Sequence, residues 1–558
     1  MARNAALIIS LVLLLAGCAS APPPQPHVTL QPDGDFWRAT WQLATPAREL
    51  RFDRPATGFR QGAFEVLTPG YAFALDGEHE VLRTDGEPAS TIAVRFREFT
   101  RHLPKDYEFF QKFSDGSVAI YTGHLLAKQD DVLIRNFRFD ASDRPGAGGT
   151  AGGAAAPRIA HIVSGGKRHT SPVTWTDDSG EGTYVYFGSI VPVESKDTIS
   201  IVDPGLPDWL ETRTRDALPR LFDLYARRLG AKLPERPTVL FSYKPSEQSG
   251  YFSSGGTLPG LIQLGIEGRG WQTESEEGLL QLFHFLAHEA AHLWNGQIVH
   301  YPDEAQAWMH EGSADGLAER ALLDMRVMNE ARFLRYQTDA LNQCRRGLGT
   351  DPLQTAAKRG RFELYYSCGN ALALLTEKTT GRNLFAFWNA LIAGALAKPN
   401  HNYDVDDYYA LLGDGAATVR PFVESPASPD ALVAALQSHG IAISTPSTSP
   451  SDYSQPLARD ALLHLLKEAC TGSYGFNTMS NGLAIRPDVN CKGVNGGDVV
   501  ESIGGHHVFR EGHLAWDHVH ERCGMSQPVL VEIAGREVTL PCTKPVAARP
   551  AYVRIDSR

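Results

Sequence analysis

Along the first third of the chain, apolar and polar positions alternate. Residues 37–41 read WRATW and residues 91–99 read TIAVRFREF, and short runs at 118–121 and 183–187 add Val, Ile, Tyr and Phe. A period of two, rich in Thr, Val and aromatics, marks half-buried strands. Residues 28–205 are therefore expected to form an N-terminal antiparallel β domain, with the low-complexity stretch 145–157 (PGAGGTAGGAAAP) as a loop. The period changes after Pro207: Leu210, Leu218, Leu221, Phe222, Leu224 and Tyr225 recur near helical spacing up to about residue 229. Residues 238–243 read as a short strand, 250–260 as a Gly-rich loop and 261–266 as an edge strand. From about 273 to 440 the pattern is helical throughout. The Pro/Ser-rich run 446–456 marks a linker. Beyond it a short helix at 457–469 precedes further strands, clearest at 493–505 and 528–540. No internal repeat is evident. The fold class is α+β and multidomain, with units expected at 28–205, 206–445 and 457–548.

One stretch inside the helical region breaks its own pattern. GLLQLFHFLAHEAAHLW is apolar on nearly every side, as a buried helix is, and Thr273 with Glu276 offers a capping box before it. His288, Glu289 and His292 are then polar groups in a buried setting, where such groups must be paired or bind a metal. Two histidines four apart share one helix face, the geometry that two Zn²⁺ ligands need. A catalytic zinc keeps three protein ligands and one open position. The candidate third ligand is Glu311, in AWMHEGSADGLAE, with eighteen residues between it and His292. Asp315 lies four further on, placed to accept the second ring N–H of a ligating histidine. The small Gly312 and Ala314 would let this second helix approach the first. His284 reads as a satisfied core histidine, and His310 as support for the site or as exposed.

Composition narrows the class. Of 558 residues, 42% are hydrophobic and 21% charged, as in a globular protein with a sizeable core. Net charge is −11 with no dense Lys/Arg block, which excludes nucleic acid as the expected partner. The N-terminus carries one Arg and then about a dozen apolar residues, too few to span a bilayer and fitting a signal peptide over residues 1–17. Leu15-Ala16-Gly17-Cys18 resembles the lipobox of bacterial lipoproteins. That resemblance implies cleavage before Cys18 and its lipidation, and Ala19 in place of Asp implies the outer membrane. Residues 18–27, Pro-rich, would be a tether. Six further cysteines remain in an exported chain, which suggests disulfides. Nearest-neighbour pairing gives 344–368, 470–491 and 523–542, one of fifteen connectivities open to six cysteines. The histidines at 506, 507, 513, 518 and 520 lack ligand spacing and read as a solvated surface. Asp404-Val405-Asp406-Asp407 lacks the Gly and Glu of an EF-hand and reads as a loop or helix cap.

His288-Glu289-x-x-His292 followed by Glu311-x-x-x-Asp315 resembles the gluzincin metallopeptidases. Trp294, Gly296, Trp308 and Gly312 are similar to the alanyl- and glycyl-aminopeptidase families, and His292-Leu293-Trp294-Asn295 most of all to the glycyl type. Tyr366-Ser367-Cys368-Gly369 resembles the helix start that supplies a transition-state tyrosine, with Tyr365 as the competitor for that role. GVNGGDVVESIGG resembles the core of bacterial PDZ domains. The resemblance implies a thermolysin-like catalytic domain with a mainly helical second lobe at 206–445 and a C-terminal PDZ-like β domain at 457–548. It further implies one Zn²⁺ per chain on His288, His292 and Glu311, with Glu289 as general base and Tyr366 as oxyanion donor. The expected function is a zinc-dependent, aminopeptidase-like peptidase anchored to the bacterial envelope, with peptide substrates and a peptide ligand for the PDZ-like groove.

One segment departs from the family. The aminopeptidases carry an acid on the strand beside the site to bind the substrate's free amine. The matching segment here, Gly255-Gly256-Thr257-Leu258-Pro259-Gly260, has none. Gly255, Gly256 and Thr257 are expected to meet substrate through their backbone. Endopeptidase action, or another anchor for the amine, stays open. The alternative from another class is a catalytically inactive, peptide- or protein-binding lipoprotein that uses the PDZ-like groove. Retention of Glu289 favours the enzyme.

Overall fold

The computed structural model describes residues 25–55, 58–99, 107–141, 161–246, 251–348, 351–446, 451–471, 474–479, 482–485, 489–533 and 535–557. The expected signal peptide, Cys18, most of the tether and the loop at 145–157 lie outside the described residues. No helix among the described residues is long and apolar enough to cross a membrane.

The chain divides into two compact units, and the boundary differs from the one expected at 205. The first unit comprises Met1–Phe99, Gly123–Pro145 and Ser171–Gly180. It holds two sheets, of six and five strands. Alternation sets their burial: Val28 and Leu30 of His27–Asp33 and Trp37, Ala39 and Trp41 of Phe36–Ala47 point inward, paired in antiparallel register.

The second unit comprises Thr100–Thr122, Gly146–Thr170 and Glu181–Arg558. Three stretches of the expected N-terminal β domain, 100–122, 146–170 and 181–205, thus belong to it. The physical reason is packing. The sheet built from Phe110–Lys112, Val118–Tyr121, His161–Ser164, Lys167–His169 and Tyr184–Gly188 shares a core with Leu240, Leu258 and Leu261. The Gln111 amide also donates to Ser242 Oγ (2.9 Å) and to the Leu264 carbonyl (2.8 Å).

A third five-stranded sheet borders the candidate site. Its strands are β1 (Val193–Glu194), β2 (Ile199–Val202), β3 (Thr238–Lys244), β4 (Phe252–Leu258) and β5 (Leu261–Glu267), in the order β1-β2-β3-β5-β4. β5 runs parallel to β3 and antiparallel to β4. The edge strand is therefore 252–258, the stretch its glycines suggest as a loop, and 261–267 is interior. Gly255 explains the difference: a Cβ there would stand 2.0 Å from the Gln263 carbonyl oxygen, so the close pairing needs glycine.

Helices follow: α1 (Asp208–Leu229), α2 (Glu276–His292), α3 (Ala307–Asp324), α4 (Glu330–Gly347), α5 (Glu363–Thr380) and α6 (Leu384–Leu396). They share one large core with the sheet. The cap of α2 is Ser275, whose hydroxyl accepts from the Gly278 N–H, and not Thr273, which closes a preceding turn of 3₁₀ helix. Gly312 of α3 does not meet α2, as its size suggests, but Gly369 of α5, where a Cβ would lie 2.2 Å from the facing Cα. Asp404 and Asp407 form a reciprocal capping box on Val405–Leu412, the helix-cap alternative of the sequence reading.

The C-terminal part has its own core between α7 (Ser451–Ala469), α8 (Gly512–Gly524) and a sheet that includes Val499–Ile503, Val529–Ile533 and Arg536–Leu540. α7 begins inside the expected linker, because Tyr453, Leu457 and Ala458 are buried in that core. The chain does not stop contributing at 548. Val553 and Ile555 are buried in the helical lobe, and Arg554–Ile555 pairs with Ile443–Ser444. Asn342 of α4 clasps Val553 through both its carbonyl (2.7 Å) and its N–H (3.0 Å). The three disulfides are Cys344–Cys368, Cys470–Cys491 and Cys523–Cys542, as nearest-neighbour pairing predicts.

Candidate metal centre

α2 and α3 lie side by side and present two ladders of polar side chains. His284, His288 and His292 stand at successive turns of α2; Glu311, Asp315 and Glu319 stand at successive turns of α3. Nε2 of His288 and Nε2 of His292 lie 3.0 Å apart, and Oε2 of Glu311 is 3.3 Å from the first and 3.4 Å from the second.

The other ring nitrogens are already engaged. Nδ1 of His288 is 2.8 Å from Oδ1 of Asp315, and Nδ1 of His292 is 3.1 Å from Oδ1 of Asn295. Each Nδ1 therefore carries the proton it donates, which leaves each neutral ring with a lone pair at Nε2. Oε2 of Glu311 is buried and has no hydrogen-bond partner. Three acceptors thus converge with no donor between them. A cation resolves that arrangement, and two imidazoles with one carboxylate suit zinc. In the absence of a cation the same geometry perturbs titration. Burial opposes charge on His288, but Asp315, Glu311 and Glu289 outweigh it and hold its pKa well above the usual value. Burial likewise opposes ionisation of Glu311, yet the two histidines hold its carboxyl far below the usual range.

Glu289, next in sequence to His288, lines the same cleft, and its Oε2 accepts from the hydroxyl of Thr257 on β4 at 2.8 Å. Of the three β4 residues expected to meet substrate, Thr257 lines the cleft; Gly255 and Gly256 lie in the strand leading to it. Tyr366, in the first turn of α5, lines the cleft too, its ring stacked on His288 at 5.7 Å. Burial and the Glu311 carboxylate raise the Tyr366 phenol well above its usual range, so it keeps its proton. Tyr365, the competitor, is tied elsewhere: its hydroxyl donates to the Gln354 carbonyl at 3.0 Å.

The cleft, of about 340 Å³, is completed by Gly296, Gln297, Tyr301 and His310, of which Tyr301 and Gln297 are not singled out by the sequence. After His292 the chain continues as one π-helical turn, Leu293–Gln297, which carries Asn295 back beneath the His292 ring. His284 is not a satisfied core histidine: its Nε2 is buried without a hydrogen bond, 3.7 Å from Glu319 and 4.0 Å from Asp315. The repeat of four in both ladders is the signal that could have found it.

No family model matches this chain, and no curated protein matches it either. Among solved structures it is similar to an aminopeptidase N family protein from Idiomarina loihiensis, with a TM-score of 0.58 and 12% identity over 96% of this chain and 98% of that one. A two-domain M1 zinc metallopeptidase, crystallised as a variant bound to L-arginine, gives 0.41 and 14% over 72% of this chain and 93% of that one. The first likeness shows that the chain has an aminopeptidase-like, multidomain α+β fold.

Proposed function

We propose that the protein is a zinc-dependent peptidase, with His288, His292 and Glu311 holding one zinc ion. The observation that carries this reading is the buried, donor-free meeting of the two Nε2 atoms with Oε2 of Glu311, directly beside the cleft-lining Glu289. The fold shared with an aminopeptidase N family protein supports it.

When bound, zinc would supply a Lewis acid that polarises a peptide carbonyl and lowers the pKa of a water molecule. Glu289, aimed by Thr257, takes a proton from the attacking water and passes it to the leaving amine. Tyr366 donates from its protonated hydroxyl to the developing oxyanion. Asp315 and Asn295 fix the ring orientation of His288 and His292. Among the described residues β4 is the sheet's edge, and apart from the Thr257 carbonyl, which accepts from the Tyr107 hydroxyl at 3.0 Å, its backbone can receive a peptide as an added strand past Gly255 and Gly256.

The finer reading follows the sequence: a PDZ-containing, glycyl-aminopeptidase-type enzyme held at the outer membrane by lipid on Cys18, with the C-terminal domain binding a peptide. The GVNGGDVVESIGG segment and the lipobox-like residues 15–18 support it. The test of peptidase action is incubation of the purified protein with a mixed peptide library, with and without a chelator, read by mass spectrometry. New peptide ends formed only without the chelator are expected, and their positions separate cuts at free N-termini from internal ones. An unchanged library, or cleavage indifferent to the chelator, rejects the proposal.

A further inference from the structure

His310, one residue before Glu311, is built into the cleft by a reciprocal clasp. The Asn295 side chain donates from Nδ2 to the His310 carbonyl at 2.9 Å, while Nδ1 of His310 lies 3.3 Å from the Asn295 carbonyl oxygen. The same carbonyl accepts from the Tyr403 hydroxyl at 2.8 Å. The His310 ring is sandwiched: it stacks on His292 with centroids 4.1 Å apart, and Tyr301 covers it at 4.6 Å. Gly296 makes the seat, since a Cβ there would lie 2.4 Å from Cε1 of the ring. Asn295 Oδ1 meanwhile receives His292 Nδ1, so one residue orients both imidazoles.

A histidine that faces a carbonyl through Nδ1 carries its proton there, and its Nε2 then offers a lone pair. The ring lines the cleft, and Nε2 is the nitrogen left to meet what enters. The two carboxylates that line the cleft, Glu289 and Glu311, have the roles assigned above, and β4 contributes none. A peptide brings N–H donors into that space, and a buried donor left unpaired is costly. We propose that His310 is a substrate-contacting residue whose Nε2 accepts an N–H from the bound peptide. This rests on the peptidase reading and deepens it, because it names the acceptor for a nitrogen of the substrate. The N–H belongs either to a free α-amine or to a backbone amide.

The test is calorimetric binding to the zinc-loaded full chain carrying Glu289→Gln, which keeps the peptide intact. The probes are tetra-alanine, its des-amino analogue (propionyl-trialanine) and the three depsipeptides in which one amide N–H is replaced by an ester oxygen. Adding His310→Ala is expected to weaken tetra-alanine about fivefold to tenfold, with zinc content unchanged. For one analogue the loss should vanish: for the des-amino peptide if the partner is the α-amine, for a depsipeptide if it is an amide. His310→Asn, whose side chain can keep the bond to the Asn295 carbonyl, should hold zinc equally well. Equal weakening across all five probes, or zinc lost from both variants, makes His310 a support of His292 and overturns the inference. Tetra-alanine binding unchanged by His310→Ala overturns it alone. No binding of any probe to either protein overturns it together with the peptide reading of the cleft.

Discussion

The hydroxyl of Thr257 stands 2.8 Å from Oε2 of Glu289, and the two residues come from different elements 32 positions apart. An edge strand thereby aims the group assigned as general base on the helix that also supplies two candidate metal ligands. Thr257→Val keeps the shape and removes the donor. It is expected to lower kcat about tenfold, the scale of one hydrogen bond to a charged acceptor, with zinc content unchanged. Steady-state kinetics alongside metal analysis check this.

Asp315 holds Nδ1 of His288 at 2.8 Å from a nearly buried position on α3. Asp315→Asn keeps the volume and loses the charge. Supporting groups of this kind typically change metal affinity by about 10- to 100-fold. Competition with a zinc chelator should show a loss of that size, with circular dichroism unchanged.

α3 and α5 touch backbone to backbone at Gly312 and Gly369, one turn from Tyr366. A Cβ on Gly369 would lie 2.1 Å from the Trp308 carbonyl oxygen, and one on Gly312 would lie 2.5 Å from the Asn370 nitrogen. Backbone cannot yield as a side-chain tip can. Gly369→Ala should cost about 1–3 kcal/mol or more and lower Tm. It should also lower kcat in excess of KM, because the crossing sets where Tyr366 stands.

The Cys344–Cys368 disulfide ties α4 to α5 two residues after Tyr366, over a separation of 24 residues. A loop of that size corresponds to about 3 kcal/mol in the chain-entropy account. Replacing both cysteines by Ala should lower Tm by several degrees while zinc binding persists, since neither cysteine lies among the proposed ligands. Differential scanning calorimetry and metal analysis separate the two effects.

The candidate metal centre is legible in the sequence where its geometry is local. His288, Glu289 and His292 sit on one helix, and a spacing of four fixes their common face whatever the rest of the chain does. Glu311 and Asp315 repeat that spacing on the next buried helix, and the even cysteine count with short separations led to the observed disulfides. What escaped depends on tertiary placement. Gly255 and Gly256 read as loop because glycine weakens strands in isolation, yet close pairing with 263–264 requires Gly255, and a Cβ on Gly256 would stand 3.2 Å from the Tyr107 hydroxyl. Tyr301 and Gln297 carry no periodic signal. The strands at 110–121 and 161–188 alternate like those of the first unit, so only their packing against Leu240, Leu258 and Leu261 assigns them to the second. The segment at 551–556 reads as a tail until Asn342 and Arg345 bind its backbone.

Glu289 is proposed to move the proton at a zinc site made by His288, His292 and Glu311. The most direct measurement is peptide turnover by Glu289→Gln at a verified one zinc per chain. Glu289 is not among the proposed ligands, so metal should stay while turnover falls by about 100- to 10,000-fold. Full turnover in that variant, with zinc bound, would contradict the account.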